Sequence, residues 1–435
     1  MSVPLPPHRR LPRSLYLHIP FCHRRCFYCD FPVVPLGDRA DGAHSAAVDN
    51  YLEALHQDLA AAPLGPPLST VYIGGGTPSL LSAEQLAGLL QAVQRHWRLA
   101  PGAELTLEMD PASFDQPRLQ AYLELGVNRV SLGGQSFSDA VLEQLGRRHR
   151  SADLRQACQW LRQARDSGQL ASWSLDLIVN LPDQQPADWQ GQLDQALAEA
   201  PPHLSIYDLI VEPGTVFARR QQRGELPLPD QDSAADRLIE THQCLAAAGY
   251  GHYEISSWAL PGHCSRHNRV YWSGASWWAC GLGSTAGVGG QRLARPRTRQ
   301  SYGEWLQQHA GRQLAEGANA SALPPLDELL LVGLRRREGV DLAWLAACAA
   351  WEGPGPLHLA LAPVLQGWLQ RRVLALSPQR LRLLPPEGFS LSNAVLADLM
   401  AWWEAGAPPP PSCPGPARSS VGPQAGAEQR AVAGG

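Results

Sequence analysis

From about residue 15 to residue 210, short apolar segments alternate with amphipathic segments, and this alternation constrains the fold more than any other feature of the sequence. The segments with the character of strands are residues 15–19, 70–73, 104–108, 129–132, 172–179 and 203–207. The segments with helical periodicity are residues 48–61, 82–97, 118–125, 139–145 and 188–199. A strand and a helix repeated about six times indicate a parallel α/β sheet that is curled toward a barrel.

Ligands of parallel sheets gather at the carboxyl ends of the strands. The segments that directly follow the predicted strands are residues 22–29, residues 74–77, Glu108, Gln135 and Pro182. We therefore expect these residues to converge on one face of the sheet and to form the functional site there.

The pattern changes beyond residue 210, where a helix is followed by an aromatic- and glycine-rich segment and then by a smaller unit of helices and one hairpin that resembles a winged-helix domain. The last residues are rich in proline, glycine and alanine, which predicts disorder. The predicted regions are an N-terminal extension (1–14), the barrel (15–230), a region that completes the barrel and contacts heme or substrate (231–325), the winged-helix-like domain (326–403) and a disordered tail (404–435).

Composition excludes several classes of function. The 435 residues carry a net charge of -4, so no basic field attracts nucleic acid. No apolar run approaches the roughly 20 residues of a membrane span, and the N-terminus lacks the apolar core of a signal peptide. The nine cysteines are an odd number and mostly scattered, which argues against a disulfide framework and predicts a cytoplasmic protein. The basic residues are all arginine, which excludes chemistry that needs a lysine amine.

Three cysteines stand within eight positions of the segment SLYLHIPFCHRRCFYCDFP, with the spacing Cys-x3-Cys-x2-Cys. They are Cys22, Cys26 and Cys29. A zinc site usually has a second pair of ligands, which this chain lacks, so a structural zinc site would need His18 or His23 as its fourth ligand. Three unligated core cysteines are the other alternative. It is disfavoured because Arg24, Arg25 and Asp30 make the loop difficult to bury.

A [4Fe–4S] cluster normally takes four thiolates, so three cysteines leave one iron open to a ligand. The segment YLHIPFCHRRCFYCDF resembles the radical S-adenosylmethionine (SAM) superfamily. The resemblance implies a partial (β/α)6 barrel in which the open iron binds the amino and carboxylate groups of SAM. It also implies electron transfer from the cluster to the sulfonium, which releases a 5'-deoxyadenosyl radical, and hence an external electron donor.

The resemblance also implies a set of SAM-binding residues. They are Tyr16, Tyr28, Gly75, Gly76, Thr77, Glu108, Gln135, Arg147 and Asp176. The residue types suit the role, because glycines allow close backbone approach and arginine can bind a carboxylate through two hydrogen bonds. Competing structural roles are an ordinary glycine turn for VYIGGGTPS, a solvated strand-end carboxylate for Glu108 and a purely structural partner for Asp176.

Three further motifs, PHLSIYDLIVEPGT, GHYEISSWA and HNRVYW, resemble the coproporphyrinogen III oxidase-like branch of this superfamily. The branch contains an oxygen-independent dehydrogenase, which decarboxylates two propionates of coproporphyrinogen, and a group of heme chaperones. The dehydrogenase pattern continues to a further cysteine, where this chain has Phe31, and only 15 residues precede Tyr16. The resemblance therefore favours a heme chaperone that passes heme to apo-hemoproteins. Porphyrinogen turnover by an enzyme remains the alternative.

Heme needs an axial ligand and an apolar slot. The segment GHCSRHN supplies His263, Cys264 and His267 as candidate ligands, and the tryptophans that follow could pack on a porphyrin. The alternative is structural, because clustered tryptophans are more often core residues and a lone histidine is more often a hydrogen-bonded core residue.

Overall fold

The computed structural model describes residues 11–38, 42–309 and 325–406. Most of the predicted N-terminal extension and tail therefore lies outside the described residues. None of the helices in these residues combines the length and the apolar character that a membrane span requires.

The centre of the molecule is a nine-stranded sheet. Its strands in chain order are β1 (Ser14–Ile19), β2 (Leu68–Gly75), β3 (Leu99–Met109), β4 (Arg129–Gln135), β5 (Ser172–Val179), β6 (His203–Asp208), β7 (Gly251–Glu254), β8 (Ser257–Ala259) and β9 (Trp278–Cys280). Strands β1 to β6 lie side by side in chain order and are parallel. Strand β9 adds in parallel beside β1, and the antiparallel β8 and β7 complete the other edge.

Helices follow most of the strands, as parallel connections require. Those of the barrel region are α1 (Ala46–Ala61), α2 (Ala83–His96), α3 (Gln116–Glu124), α4 (Asp139–Gln144), α5 (Ser151–Asp166), α6 (Pro186–Ala198), α7 (Val216–Gln222), α8 (Gln231–Ala247), α9 (Arg266–Trp272) and α10 (Arg299–His309). Short polar side chains begin several of them. Ser82 and Gln85 form a reciprocal capping box at α2, and Asp115 caps α3.

The alternation of side chains along each strand gives the sheet two different faces. Leu15, Leu17 and Ile19 are fully buried in the apolar core that the sheet shares with the helices. Tyr16 and His18 point to the other face, the inside of the partial barrel, where they contact each other and polar residues of neighbouring strands. The inside of the barrel is therefore polar, and its groups must find partners or face a ligand.

The C-terminal unit has an apolar core of its own. Its helices are α11 (Leu326–Leu334), α12 (Leu342–Cys348), α13 (Pro354–Val364), α14 (Gln366–Gln370), α15 (Glu387–Ser390) and α16 (Ser392–Glu404). A small antiparallel sheet has β14 (Arg380–Leu383) between β12 (Val340–Asp341) and β13 (Leu374–Leu376). A two-stranded ribbon of β10 (Thr285–Val288) and β11 (Gln291–Ala294) precedes the unit.

The predicted fold class, an α/β partial barrel followed by a smaller and mainly helical C-terminal region, is confirmed. The domain limits at residues 230 and 325 stay a prediction.

Candidate functional site

A cavity of about 400 Å³ opens where β1 to β6 end. All the candidate cluster ligands line it, and so do most of the residues that the resemblance assigned to SAM. The predicted residues in its wall are Cys22, Cys26, Cys29, Tyr28, Gly75, Gly76, Thr77, Glu108, Gln135, Arg147 and Asp176. The strand ends thus bring together segments that are more than 150 residues apart in sequence, as the α/β pattern predicts.

Backbone hydrogen bonds hold the cysteine loop on three sides. Residues Phe21–Cys22 pair in parallel with Val34–Pro35 at the start of the loop. In its middle, the Phe27 amide donates to the Leu145 carbonyl at 3.0 Å, and the Phe27 carbonyl accepts from the Phe217 amide at 3.0 Å. The loop is therefore attached to the end of α4 and to the start of α7.

The three thiols are not in disulfides, and they differ in exposure, with Cys22 buried and the other two half-buried. Burial, followed by repulsion from Cys26 and Cys29, raises the pKa of Cys22 to about 12. Burial also raises the pKa of Cys29. Such thiols need a nearby positive charge to hold their thiolate form, which iron supplies. The donor set, three thiols around one cavity, fits a cluster with an open corner.

Hydrogen bonds already engage both ring nitrogens of His18. Nε2 donates to the Pro32 carbonyl at 3.2 Å, and Nδ1 accepts from the Tyr16 hydroxyl at 3.0 Å. Burial lowers the pKa of His18 to about 4. His18 would have to break these bonds to ligate zinc. Among the described residues, no group of three or more His, Cys, Asp or Glu side chains is arranged to hold a single metal ion.

Arg147 links the cysteine loop to β3 and β4. Its guanidinium donates to Asp110 at 2.6 Å, to the Gly133 carbonyl at 2.8 Å and to Cys26 Sγ at 3.6 Å. Burial alone would raise the pKa of Asp110, but Arg147 and His149 hold it well below its usual range. Because one carboxylate already occupies Arg147, it is less free to bind a ligand carboxylate than the sequence suggested. Its Nε has no hydrogen-bond partner among the described residues.

The glycine run packs β2 against the start of the cysteine loop. A Cβ on Gly75 would lie 2.6 Å from the Ile19 carbonyl oxygen, and one on Gly76 would lie 2.5 Å from that of Phe21. The amides of Gly76 and Thr77 donate to these same two carbonyl groups. The glycines are therefore required by backbone packing. What this segment can offer a ligand is its carbonyl groups and the Thr77 hydroxyl.

Glu108 and Asp176 are the carboxylates of the predicted set, and both are held by hydrogen bonds inside the barrel. Glu108 accepts from the Tyr72 hydroxyl at 2.8 Å and from the Gly75 amide at 2.9 Å, and burial raises its pKa to about 7. Asp176 accepts from Ser131 at 2.7 Å and Ser174 at 2.8 Å, and burial raises its pKa too. Both lose hydration in the barrel, so a cationic ligand in the cavity would stabilise their charged forms.

The other predicted SAM residues differ in position. Gln135 ends β4 beyond a bulge, with a left-handed φ of 62°, and its side chain faces the cavity. Tyr28 packs against Phe217 at the cavity wall. Tyr16 does not line the cavity, because it lies deeper in the barrel, stacked on Tyr72 at a ring distance of 6.0 Å.

The heme candidates lie at the opposite end of the barrel. His267 contacts Thr70 at the start of β2, and His263 contacts Ser172 at the start of β5. Thr70 and Gly75 are five residues apart, which is about 16 Å along a strand. His267 is fully buried, with Nδ1 2.8 Å from Thr70 Oγ1 and Nε2 2.7 Å from the Tyr271 hydroxyl. It would have to break at least one of these bonds to ligate iron. His263 and Cys264 are half-buried.

Sequence reasoning missed several residues of the cavity wall. Asp110 directly follows β3, so the rule that selected Glu108 also pointed to it. Arg148 is the neighbour of Arg147. Tyr207 lies near the end of β6 and Ile210 just beyond it, within the motif YDLIV, and the exposure of their side chains left no signal in the sequence alone.

The fold and the cysteine-lined cavity define a radical SAM protein, and the sequence profile of the Radical SAM superfamily matches residues 16–195. Among curated proteins, the Heme chaperone HemW of Synechocystis is 40% identical over 407 residues, covering 90% of this chain and 97% of that protein. The Heme chaperone HemW of Escherichia coli is 40% identical over 295 residues, covering 67% and 75%. The chain therefore belongs to the HemW family of the radical SAM superfamily.

A solved structure shares the fold along most of the chain. It is the coproporphyrinogen III oxidase HemN of Escherichia coli, described as a radical SAM enzyme, with a TM-score of 0.70 over 90% of this chain and 91% of that one. The two sequences are 21% identical, so this likeness concerns the fold alone.

Proposed function

We propose that this chain binds heme and delivers it to apo-hemoproteins, and that Cys22, Cys26 and Cys29 hold a [4Fe–4S] cluster whose open iron takes SAM. The observation that carries the proposal is the 40% identity to the heme chaperone of Synechocystis over nearly the full length of both chains. The cavity supports it, because three free thiols, two half-buried carboxylates and a half-buried arginine surround one space.

The bound cluster and SAM would supply one-electron reductive chemistry with an external electron donor. The chain's own residues would then hold the ligand in place. Glu108 and the carbonyl groups of residues 74–76 suit an amino group, because both accept hydrogen bonds. Arg147 would face Cys26 and polarise its sulfur, with Asp110 fixing the guanidinium.

We place the heme at the mouth of this cavity. Seven large apolar side chains are exposed among the described residues, and three of them line this cavity: Phe31 (54% exposed), Tyr207 (44%) and Ile210 (66%). Such a concentration of exposed apolar surface is typical of a binding site. A heme offers a flat apolar ring that can cover these side chains.

Charge supports the same position. Arg25 and Arg148 are exposed in the cavity wall, as is Arg24, which already pairs with Asp38. Heme carries two carboxylates, which arginine binds well. Asp208 and Glu212 also line the cavity, close to Ile210 in the sequence. The propionates would therefore turn toward the arginines of the cysteine loop and of the segment after α4. This placement differs from the candidate ligands of GHCSRHN, which lie at the other end of the barrel.

A hemin titration of the anaerobically purified chain, followed by visible absorbance, tests the placement. The double variant Phe31→Ser/Ile210→Ser should weaken heme binding, and Arg148→Gln should weaken it further. The matched double variant His263→Ala/Cys264→Ala should bind as the parent does. Loss of heme binding only in His263→Ala/Cys264→Ala would instead assign the heme site to the GHCSRHN segment.

The same protein preparation can distinguish heme transfer from the oxidation of coproporphyrinogen. With an apo-hemoprotein present, the heme absorbance should move to the acceptor. With coproporphyrinogen, SAM and a reductant under anaerobic conditions, no protoporphyrinogen should form. Steady formation of that product would replace the chaperone proposal by oxidative decarboxylation. Zinc without iron or sulfide in the purified protein would contradict both.

A further inference from the structure

Several buried tyrosines hydrogen-bond a side chain that can accept a proton, and three of them lie in one series of ring contacts inside the barrel. The pairs are Tyr16 with His18 Nδ1 (3.0 Å), Tyr72 with Glu108 Oε1 (2.8 Å) and Tyr271 with His267 Nε2 (2.7 Å). Loss of an electron makes a phenol strongly acidic, and a base within hydrogen-bond reach can take the proton in the same step. Tyrosines paired in this way are therefore easier to oxidise than tyrosines that donate to backbone carbonyls.

The rings of these residues form a continuous series of contacts. Tyr16 stacks on Tyr72 at 6.0 Å, and Tyr72 stacks on His267 at 5.1 Å between ring centres. His267 meets Tyr271 at 5.1 Å, edge to face, and Tyr271 meets Trp277 at 4.9 Å. The series begins beside the cavity, where Glu108 is shared with its wall, and ends away from it.

A positive charge beside Trp277 makes Tyr271 the last residue of the series that is readily oxidised. The guanidinium of Arg292 lies 4.3 Å above the ring of Trp277. A cation over the face of an indole opposes the positive charge that oxidation would place there. An oxidising equivalent that arrives at Tyr271 is therefore not passed on readily to Trp277.

We propose that Tyr271 is a redox-active tyrosine with His267 as its proton acceptor, and that it receives oxidising equivalents from the cavity through Tyr72. The proposal gives a role to the motif HNRVYW that needs no bound heme, and it goes beyond the chaperone function. Its benefit is protection, because an oxidant is quenched away from the cavity thiols and the exposed apolar side chains.

The electrons and protons balance as follows. A one-electron oxidant, such as an organic radical, gains one electron from Tyr72, whose phenolic proton moves to Glu108. Tyr271 then gives one electron to Tyr72 and its phenolic proton to His267 Nε2, while the proton on Glu108 returns to Tyr72. The result is one reduced oxidant, a neutral tyrosyl radical at Tyr271 and an imidazolium at His267.

The experiment uses the full chain without metal, so that it depends on neither the cluster nor heme. A ruthenium tris-bipyridine photo-oxidant with persulfate generates the oxidant, and electron paramagnetic resonance after rapid freezing follows the radicals. The parent should show a long-lived tyrosyl signal. Tyr271→Phe should lose that signal, and His267→Gln should form it but shorten its lifetime, because the proton acceptor is gone.

Tyr122→Phe is the matched control. Tyr122 is fully buried, but its hydroxyl donates to the carbonyl groups of Ser79 and Leu81, which are not bases. The long-lived signal should persist in this variant. If Tyr271→Phe fails to fold, the lifetime in His267→Gln decides the question. An unchanged signal in Tyr271→Phe, an unchanged lifetime in His267→Gln or a loss in Tyr122→Phe would overturn the proposal.

Discussion

The two ends of the barrel carry similar polar residues, but they arrange them differently. At the carboxyl ends of the strands, thiols, carboxylates and Arg147 surround an open cavity, and Arg147 Nε has no partner among the described residues. At the amino ends, most polar groups close on one another, although Arg129 Nη2 has no partner among the described residues. Glu104 accepts from the amides of Arg266 and His267, whose ring is bonded at both nitrogens.

The difference shows why a histidine-rich motif alone is a weak sign of a ligand site. Polar groups that bond one another are already satisfied and hold the fold together. Polar groups that face a cavity and keep a shifted pKa or an unpartnered atom retain free energy that a ligand can recover. GHCSRHN largely belongs to the first class, and the cysteine loop belongs to the second.

The largest effect is expected when all three thiols at the cavity end of the barrel are removed. Replacing Cys22, Cys26 and Cys29 with alanine should abolish iron–sulfur absorbance and bound sulfide after anaerobic reconstitution, because no other thiol lines the cavity in the described part of the chain. Cys264→Ala, at the amino end, should reconstitute as the parent does. A triple variant that keeps its iron and sulfide would place the cluster elsewhere.

Breaking the ion pair behind the cysteine loop should be costly to stability. Asp110→Asn leaves Arg147 charged in a site where the two side chains are 19% and 12% exposed, so we expect a loss of about 3–5 kcal/mol in the free energy of unfolding. Urea unfolding measures it. Asp38→Asn is the control, because its pair with Arg24 is about half exposed and should contribute less than about 1 kcal/mol. Similar losses in both variants would contradict the assignment.

Lowering the pH should raise the free energy of unfolding through Glu108, at the cavity end of the barrel. Burial raises its pKa to about 7, so between pH 4.5 and 7 the folded chain holds a proton that the unfolded chain has released. Stability should fall across that window by up to about 3 kcal/mol, and Glu108→Gln should remove this slope. Unfolding midpoints in urea at several pH values test it. A slope of the same size in the variant would assign it to another group.

Lowering the pH should reduce the free energy of unfolding through His267, at the amino end of the barrel. Burial lowers its pKa to about 3, so between pH 3 and 6.5 the unfolded chain holds a proton that the folded chain does not. Its contribution to stability is complete above pH 6.5 and falls by about 2 kcal/mol at pH 5. His267→Gln should reduce this loss of stability between pH 6.5 and pH 5 in the same urea series. If the loss is as large in the variant, the other buried histidines cause it.

Much of the barrel could be predicted because its strands and helices are locally periodic. Helix α5 was missed, although Leu154, Cys158 and Leu161 recur with helical spacing. Strand β9 was missed for a different reason. It is three residues long and pairs with β1 across more than 250 residues of sequence, and no local pattern reports such a contact.

The part of the site that directly follows the strands could be predicted. The rule placed Glu108, Gln135 and the cysteine loop around one cavity. It could not place GHCSRHN, because this segment follows no strand of the parallel set and meets the strands at their starts through tertiary packing alone. The exposure of Ile210 likewise depends on the final packing.

Phe27 sits between the second and third cysteines, and its backbone is bonded to α4 on one side and α7 on the other, with its ring over Gly146, whose φ of 73° favours glycine. Zinc fingers fold only when metal arrives. In this chain, backbone bonds to two helices also hold the cysteine loop, so its path does not depend on the thiol side chains alone. A substitution in α4 or α7 that displaces Phe27 would therefore change the separation of the second and third thiols without touching either of them.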